Sequence, residues 1–345
     1  MTHEIDRSKV NQPYPAAGGA PSRGYLVVAP GRNEAKYMRR TLDSLVAQTK
    51  RPALVIIVDD GSTDDSPHIA AEYGVNHDWI KVVTREDRGA RSVGPGVMEA
   101  FYAGLDTTRL EDFDFICKLD LDLDLPKGYF EELMRRMEAE PRLGTCSGKA
   151  YYPGPNNAAE SFDGELISEK IGDEVSVGAS KFYRVSCFQQ IGGFVRQVMW
   201  DGIDCHRCRL LGWIACSWDD PQLRFIHLRP MGSSQKGMWS GRMRWGYGQY
   251  FMGTSPIYMA ASALYRMTRP PLIIGGLGMM WGYIKSWLTR RPRYEDLEFR
   301  RFLRQYQWEA LMRGKASAAE RAHRERARLW KSPAHPMSGV PSSVS

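Results

Sequence analysis

The sequence predicts an α/β fold with a mostly parallel sheet flanked by helices, followed by an amphipathic and apolar C-terminal helical region. Short apolar runs alternate four times with segments of helical periodicity in the first half of the chain. Acidic residues directly follow two of these runs, at the positions where strands would end. The 345 residues are 43% hydrophobic and 25% charged, which is the composition of a globular chain with a sizeable core.

The predicted strands and helices follow one another in a regular order. Apolar, β-branched runs predict strands at residues 25–30, 53–58, 80–84 and 113–119. Apolar residues at helical spacing predict helices at residues 34–48, 63–73, 94–105 and 127–138. This order requires crossover connections and a parallel sheet, whose ligands bind at the carboxyl ends of the strands. We therefore expect the site in the loops that follow Ala29, Val58 and Leu119.

Beyond Arg142 the alternation is less regular. The pattern predicts strands at residues 175–183 and 213–218, and helices at residues 186–191 and 203–211. These shorter elements complete the predicted α/β domain.

Two uncharged stretches follow, at residues 247–265 and 270–284, and both are interrupted by Gly and Pro. Neither clearly reaches the roughly 20 apolar residues of a membrane-spanning helix. We expect interfacial or re-entrant helices, and the alternative is a hydrophobic domain interface. Aromatic and basic residues typical of a membrane surface accompany the second stretch: Trp281, Tyr283, Trp287, Lys285, Arg290 and Arg291.

Positive charge is concentrated in one segment. The chain carries 47 Lys and Arg against 40 Asp and Glu, a net charge of +7. Residues 285–331 hold fourteen of the basic and six of the acidic residues, so residues 1–284 are close to neutral. A neutral body does not suit nucleic acid as a partner. Because each basic residue near an anionic membrane surface contributes roughly 1 kcal/mol, that surface is the predicted partner.

The chain divides into four predicted segments. Residues 1–23 have no apolar run, so we expect a disordered N-terminus without a signal peptide. Residues 24–245 form the α/β domain, residues 246–331 a membrane-associated helical region, and residues 332–345 a disordered tail. Without a signal peptide or an N-terminal anchor, the expected location is the cytoplasmic side of the inner membrane, in a peripheral or re-entrant arrangement.

Adjacent acids end the second predicted strand. Asp59 and Asp60 precede Gly61, which permits a tight turn into the next helix. Carboxylates at this edge are well placed to accept hydrogen bonds from a base or a ribose. The alternative is that both acids only shape the turn.

Three alternating acids follow the fourth predicted strand. Strand alternation would put Asp120, Asp122 and Asp124 on one face, where like charges repel unless a cation lies among them. Carboxylate oxygens suit Mg²⁺ or Mn²⁺. One alternative is a solvated edge strand. Another is a calcium loop that includes Glu131, which is disfavoured because Leu125 stands where such a loop needs Gly.

Motifs in a fixed order resemble the family 2 glycosyltransferases, whose GT-A fold is Rossmann-like and binds nucleotide sugars. They are Pro30-Gly-Arg-Asn33-Glu34, Asp59-Asp60-Gly-Ser-Thr-Asp64, Asp120-Leu-Asp122 and Trp200-Asp201-Gly-Ile-Asp204. The resemblance extends over about residues 24–250 and implies a GT-A domain at residues 24–245. Residues 175–194 resemble the acceptor-side segment of bacterial surface-polysaccharide transferases.

The resemblance also implies roles for the matching residues. The implied substrate-binding residues are Pro30, Asn33, Glu34, Asp59, Asp60, Gly89, Arg91, Lys118, Asp120 and Trp200. The implied ligands of a divalent metal, Mg²⁺ or Mn²⁺, are Asp120, Asp122 and His227. Family members invert the anomeric centre in a single displacement. Asp201 is then the implied general base, and Asp204 is the alternative base.

One departure from the family bears on the product. Processive members carry Gln-x-x-Arg-Trp, whereas this chain has Gly241 before Arg244 and Trp245. The resemblance therefore implies transfer of one sugar from a nucleotide sugar, which we expect to be UDP-linked, to a hydroxyl of a lipid-linked or glycan acceptor. The alternatives are a sugar-nucleotide nucleotidyltransferase, disfavoured by the single Gly of the first loop, and a non-catalytic membrane-binding module.

Overall fold

The computed structural model describes residues 24–87, 89, 94–154, 164–229, 238–269 and 272–331. The strands are β1 Tyr25–Gly31, β2 Leu54–Asp59, β3 Ile80–Thr84, β4 Phe115–Leu119, β5 Leu123–Asp124, β6 Leu143–Ser147, β7 Ala150–Pro153, β8 Leu166–Ser168, β9 Ser180–Arg184, β10 Ile214–Ser217 and β11 Phe225–His227. The helices are α1 Ala35–Val46, α2 Ser66–Asn76, α3 Pro95–Leu105, α4 Tyr129–Ala139, α5 Val185–Gln190, α6 Trp200–Leu210, α7 Met238–Met252, α8 Pro256–Met267, α9 Ile274–Leu288, α10 Leu297–Arg313 and α11 Lys315–Glu325. The predicted disordered ends, residues 1–23 and 332–345, lie outside the described residues.

The main sheet has seven strands in the order β10-β6-β9-β4-β1-β2-β3. Strands β3, β2, β1 and β4 are parallel, β9 runs antiparallel to both of its neighbours, and β10 is parallel to β6. The predicted mostly parallel sheet with flanking helices is confirmed. Its parallel strands end together at one edge, where the loops that follow β1, β2 and β4 meet.

The core lies on both faces of this sheet. Along β1, Tyr25 and Val27 belong to the cluster that includes Leu42 of α1, because successive side chains alternate between faces. Leu26 belongs to the opposite cluster, which includes Phe101 of α3. Burial on both faces explains why the strand is an uninterrupted apolar run.

A second sheet has four strands in the order β5-β11-β7-β8. Strand β11 pairs antiparallel with β5, with His227 opposite Leu123. It also pairs parallel with β7. This small sheet brings a strand from late in the chain against the loop that follows β4.

Several boundaries differ from the sequence prediction. The strand predicted at residues 175–183 is shorter and later in the structure, where β9 covers residues 180–184. Its start is delayed because the Ser180 amide donates to the Val177 carbonyl oxygen in a turn. The helix predicted at residues 203–211 begins earlier, at Trp200, after Met199 in a left-handed conformation. Asp201 therefore lies in the first turn of α6.

The C-terminal helices pack on one another through glycine. A Cβ atom at Gly246 of α7 would overlap the carbonyl oxygen of Met279 in α9, and one at Gly282 would overlap that of Met243. The two helices therefore make backbone contact that only glycine permits. Helices α10 and α11 pack on α6, and Ile203 lies in the same apolar cluster as Phe299. Among the described residues, no helix combines the length and apolar composition needed to cross a bilayer.

Candidate functional site

The loops after β1 and β2 are joined by hydrogen bonds. The Asn33 amide donates to Ser62 Oγ at 2.9 Å, and the Asn33 side chain accepts from the Thr63 amide at 2.8 Å. The Glu34 amide donates to Ser66 Oγ at 2.8 Å. Asn33 holds a positive φ of 55°, which Asn tolerates better than most residues. The predicted substrate-binding Asn33 thus fixes the loop that presents Glu34.

The two acids that end β2 have different surroundings. The Asp59 carboxylate accepts from the Ser62 amide at 3.1 Å, so it shapes the turn. The Asp60 carboxylate is largely buried and accepts from Arg85 at 2.5 Å. Arg32 donates to the Asp60 carbonyl oxygen at 2.8 Å. Of the two acids, Asp60 is the one whose carboxylate is paired with a basic side chain, Arg85, at the carboxyl edge of the sheet.

The three alternating acids do not share one face or one cation. Strand β4 ends at Leu119, and β5 pairs in the other sheet, so the expected alternation over residues 120–124 is wrong. Each carboxylate instead pairs with its own basic side chain. The pairs are Asp120 with Lys118, Asp122 with Arg229, and Asp124 with Arg40. Because Arg40 and Asp124 are both partly exposed, the third pair belongs to the surface.

Arg229 joins two buried carboxylates. Its Nε lies 2.6 Å from Asp122 Oδ2 and its Nη2 lies 2.6 Å from Glu34 Oε1. Burial disfavours the charge of Asp122, but His227 and Arg229 outweigh it and hold the pKa of Asp122 below its usual range. Sequence reasoning missed Arg229. The sequence feature that could have indicated Arg229 is its position two residues after His227, at the end of a strand.

His227 is held between two acids. Its Nδ1 lies 2.9 Å from Glu169 Oε1, and its Nε2 lies 3.4 Å from Asp122 Oδ2. Burial lowers the pKa of His227, but the hydrogen bonds and charges of Asp122 and Glu169 outweigh it and raise that pKa to about 10. Glu169, which no sequence motif indicated, orients the imidazole toward Asp122 in the way that carboxylates orient metal-binding histidines.

The carboxylate of Asp122 is a ligand that suits Mg²⁺ or Mn²⁺, and the imidazole of His227 suits Mn²⁺ as the transition metal of the two. Within the described ranges, no group of three or more His, Cys, Asp or Glu side chains is arranged to hold a metal ion. Asp120, which pairs with Lys118, is thus not gathered with the other two predicted ligands. However, Asp122 Oδ1 is buried and has no hydrogen-bond partner in the described part of the chain. One or two protein ligands suffice when substrate phosphates complete the shell.

The two acids of α6 differ sharply. Asp204 is 1% exposed and accepts hydrogen bonds from Lys181 Nζ and the Tyr183 hydroxyl. Burial raises the pKa of Asp204, although Lys181 and Tyr183 oppose the shift. Asp201 is partly exposed, and no described residue donates a hydrogen bond to its carboxylate. Of the pair, only Asp201 has a carboxylate available to a substrate.

Lys118 connects the loop after β4 with the start of α6. Its ammonium donates to Asp120 and, at 3.0 Å, to the Gly178 carbonyl oxygen. A Cβ atom at Gly178 would lie 2.9 Å from Asp201 Oδ2, so glycine leaves room for that carboxylate. Gly178 is therefore linked to Asp120 through Lys118 and lies next to Asp201. The Lys118 ammonium is also 5.1 Å from the centre of the Trp200 ring.

The remaining predicted residues are placed as follows. Trp200 is nearly buried and packs edge-on against Phe194 at 4.8 Å between ring centres. Pro30 is buried in β1, opposite Val58. Gly89 is exposed with a φ of 74°, and its amide donates to an Asp87 oxygen at 2.7 Å. Arg91 lies outside the described residues.

The fold and this acidic edge define a class of protein. A parallel sheet that presents carboxylates and their basic partners at its carboxyl edge, with a late histidine from a second sheet, is the architecture of a GT-A transferase. Residues 26–191, just under half of the chain, match the model of glycosyl transferase family 2. The resemblance inferred from the motifs is thereby confirmed.

Individual bacterial proteins are similar in sequence to the same part of this chain. The glycosyltransferase EpsH of Bacillus subtilis (strain 168) is 32% identical to this chain over 129 residues. The match covers 37% of this chain and 35% of EpsH. Poly-beta-1,6-N-acetyl-D-glucosamine synthase of Staphylococcus aureus (strain COL) is 26% identical over 117 residues, or 34% of this chain and 26% of the synthase. The matched segments thus span about a third or less of these relatives.

A solved structure supports the fold. The structure of GalNAc-T7 with UDP, GalNAc and Mn²⁺ superposes with a TM-score of 0.53 at 13% identity. The match covers 84% of this chain and 57% of that one. At this identity the likeness concerns the fold alone.

Proposed function

We propose that this chain transfers a single sugar, with inversion, from a UDP-linked donor to a hydroxyl of a lipid-linked or glycan acceptor in bacterial polysaccharide or glycolipid synthesis. The observation that carries the proposal is the carboxylate of Asp201, which is partly exposed beside Gly178 and bonded to no described residue. The family of residues 26–191 supports sugar transfer. The name of the Staphylococcus aureus synthase and the UDP bound to GalNAc-T7 motivate the choice of acceptor and donor.

The donor nucleoside would lie at the loops after β1 and β2. Glu34 and Asp60 are buried acceptors at that edge, and Arg229 and Arg85 hold their charges in place. Carboxylates fixed in this way can accept hydrogen bonds from a base or a ribose without reorganising. Asp59 would contribute indirectly, by holding the turn after β2 in shape, because its carboxylate accepts a hydrogen bond from the Ser62 amide.

Asp122 and His227 would hold the divalent cation. When bound, Mg²⁺ or Mn²⁺ supplies positive charge that stabilises a departing diphosphate. Glu169 would orient the imidazole, and Arg229 would share the carboxylate of Asp122. Lys118 holds the neighbouring Asp120 in position.

Asp201 would take the proton of the acceptor hydroxyl. A hydroxyl is a weak nucleophile, so a carboxylate within hydrogen-bond reach must remove its proton as the new bond forms. Single displacement needs one such base and no covalent nucleophile. Asp204 would position it, because Lys181 donates both to the Asp204 carboxylate and, at 2.8 Å, to the Asp201 carbonyl oxygen.

The same proposal places the chain on a membrane. We infer a peripheral location on the cytoplasmic side of the inner membrane, where a lipid-linked acceptor would be available. The supporting observation is the large exposed apolar surface of α8 and α9, which includes Leu264, Trp281 and Trp287.

The test is release of nucleoside diphosphate by the purified full chain from a panel of nucleotide sugars with Mn²⁺ or Mg²⁺. Asp201→Asn removes the base and is expected to lower kcat by about 10²–10⁴-fold. Asp78→Asn is the matched control, because Asp78 is an exposed acid that precedes β3, at the opposite end of the strands. Full activity of Asp201→Asn would refute the assignment. Release of pyrophosphate in place of the diphosphate would indicate a nucleotidyltransferase.

A further inference from the structure

One face of α9 is apolar and exposed. Ile274, Leu277, Trp281, Ile284 and Leu288 recur every three or four residues, so they lie along one side of the helix. Each is between 37% and 60% exposed. The opposite side carries the glycines that pack on α7 and α8. We call the five residues the outer face of α9.

Other exposed apolar residues lie in α8 and in the segment just before α9. Leu264 and Tyr265 of α8 are more than 60% exposed, and Leu272 and Ile273 are at least 60% exposed just before α9. Exposed apolar residues clustered in this way mark an interaction site in soluble proteins.

The charged residues of the segment that carries this surface all have one sign. Residues 238–294 contain eight Lys and Arg and no Asp or Glu. Arg269, Lys285 and Arg290 are exposed within this segment. An apolar face within a segment whose own charges are all positive complements an anionic lipid surface, in which apolar chains lie beneath negative headgroups.

A cavity opens beside the outer face, between α9 and α10. Its volume is about 370 Å³, and its lining residues are Thr254, Pro256, Tyr283, Ile284, Trp287, Arg293 and Arg304. Both arginines lie near the Tyr283 hydroxyl, and their charges favour its ionised form, although burial dominates and raises the pKa of Tyr283. Neither arginine has an acidic partner within the described ranges. Ile284 belongs to both the cavity wall and the outer face.

Arg293 is held in place without a counter-charge. Its guanidinium lies 4.3 Å from the centre of the Tyr250 ring. Its Nε is buried and has no hydrogen-bond partner among the described residues. A buried donor without a partner is costly, and an anionic oxygen would satisfy it.

We propose that this cavity binds the phosphate headgroup of an anionic phospholipid, with Arg293 and Arg304 as its ligands and the lipid chains against the outer face of α9. The site would give the membrane association a chemical preference, because diffuse positive charge alone does not distinguish one arginine from another. The proposal extends the membrane location given above. It holds whether or not the chain transfers sugar.

The experiment measures binding of the purified full chain to vesicles of phosphatidylcholine alone or mixed equally with phosphatidylglycerol. The cavity variant is Arg293→Gln with Arg304→Gln. The control variant is Arg301→Gln with Arg328→Gln, which removes the same charge from exposed positions outside the cavity lining. The cavity variant is expected to lose about tenfold more affinity for the mixed vesicles than the control does, since charge-assisted hydrogen bonds outweigh diffuse attraction. Melting followed by circular dichroism confirms that both variants are folded.

Additional measurements separate the possible occupants. Leu277→Ser with Leu288→Ser should weaken binding to both kinds of vesicle and leave the preference for phosphatidylglycerol intact. Asp201→Asn should bind vesicles like the unaltered chain, so failure of the catalytic assignment would leave this proposal standing. Equal losses in the two arginine variants would overturn it. So would inorganic phosphate that competes fully at the cavity, or self-association of the chain that blocks vesicle binding.

Discussion

Lys181 and Asp204 form a buried ion pair whose disruption has a calculable cost. Their side chains are 0% and 1% exposed, and the ammonium contacts Asp204, the Asp201 carbonyl oxygen and Cys205. Lys181→Met removes the positive charge and leaves a buried carboxylate with only the Tyr183 hydroxyl and a backbone amide as donors. Breaking a buried pair in this way costs about 3–5 kcal/mol of unfolding free energy, a large part of the roughly 5–15 kcal/mol of a typical domain.

Urea unfolding followed by circular dichroism measures the loss. The control is Lys181→Met with Asp204→Asn, in which the amide still accepts from Tyr183 and no charge stays buried. We expect this double variant to be more stable than Lys181→Met alone. A single-variant loss below about 1 kcal/mol, which is the value of an exposed pair, would refute the reasoning. So would a double variant less stable than the single one.

The pH dependence of the same variant has a definite sign. Burial raises the pKa of Asp204 even with Lys181 present, and removing the ammonium raises it further. An acid whose folded pKa lies above its unfolded value binds a proton more readily in the folded state, so folding is favoured as the pH falls. The stability gap between Lys181→Met and the unaltered chain should therefore be smaller at pH 5 than at pH 8. A gap independent of pH would mean that Asp204 does not titrate in this window.

Further predictions concern the carboxylates that follow β4, Arg229 and the helix packing. Asp122→Ala should lower the rate of nucleotide release by at least about 100-fold, whereas Asp124→Ala, which breaks only the partly exposed pair with Arg40, should leave that rate unchanged. Arg229→Lys should lower the unfolding free energy by about 1–3 kcal/mol, because an ammonium cannot reproduce the planar bridge between two carboxylates; an unchanged urea midpoint would contradict the bridge. Gly246→Ala should destabilise by about 1–3 kcal/mol through overlap with α9. Gly241→Ala, in the same helix with open space around it, should be neutral or stabilising by up to about 1 kcal/mol in the same assay, and equal losses would argue against the backbone contact.

Much of the central sheet could be predicted, because its signals are local. Runs such as residues 25–30 and 53–58 are apolar throughout, and a strand buried on both faces leaves that pattern. The antiparallel β9 between β4 and β6 could not be predicted in this way. Its place depends on pairing across the chain, and residues 180–184 carry no mark of which strands they join.

The candidate site was predicted in part, for a similar reason. Asp120 and Asp122 continue the alternation of the preceding strand in sequence, but pairing ends at Leu119, and pairing decides where side chains point. Arg229 and Glu169 belong to segments far from Asp122 in the chain. A sequence motif contains only residues that are close along the chain, whereas the charged partners of a site are close in the folded structure.

The glycine contact between α7 and α9 also has a mechanical consequence. At Gly246 and Gly282 no side chain separates the two backbones, so a shift of α9 at these points carries α7 with it. Gly248 of α7 lies directly against Met199, the residue before α6, whose first turn holds Asp201. A displacement of the outer face of α9 is thus passed through α7 to the first turn of α6, which holds the proposed base Asp201.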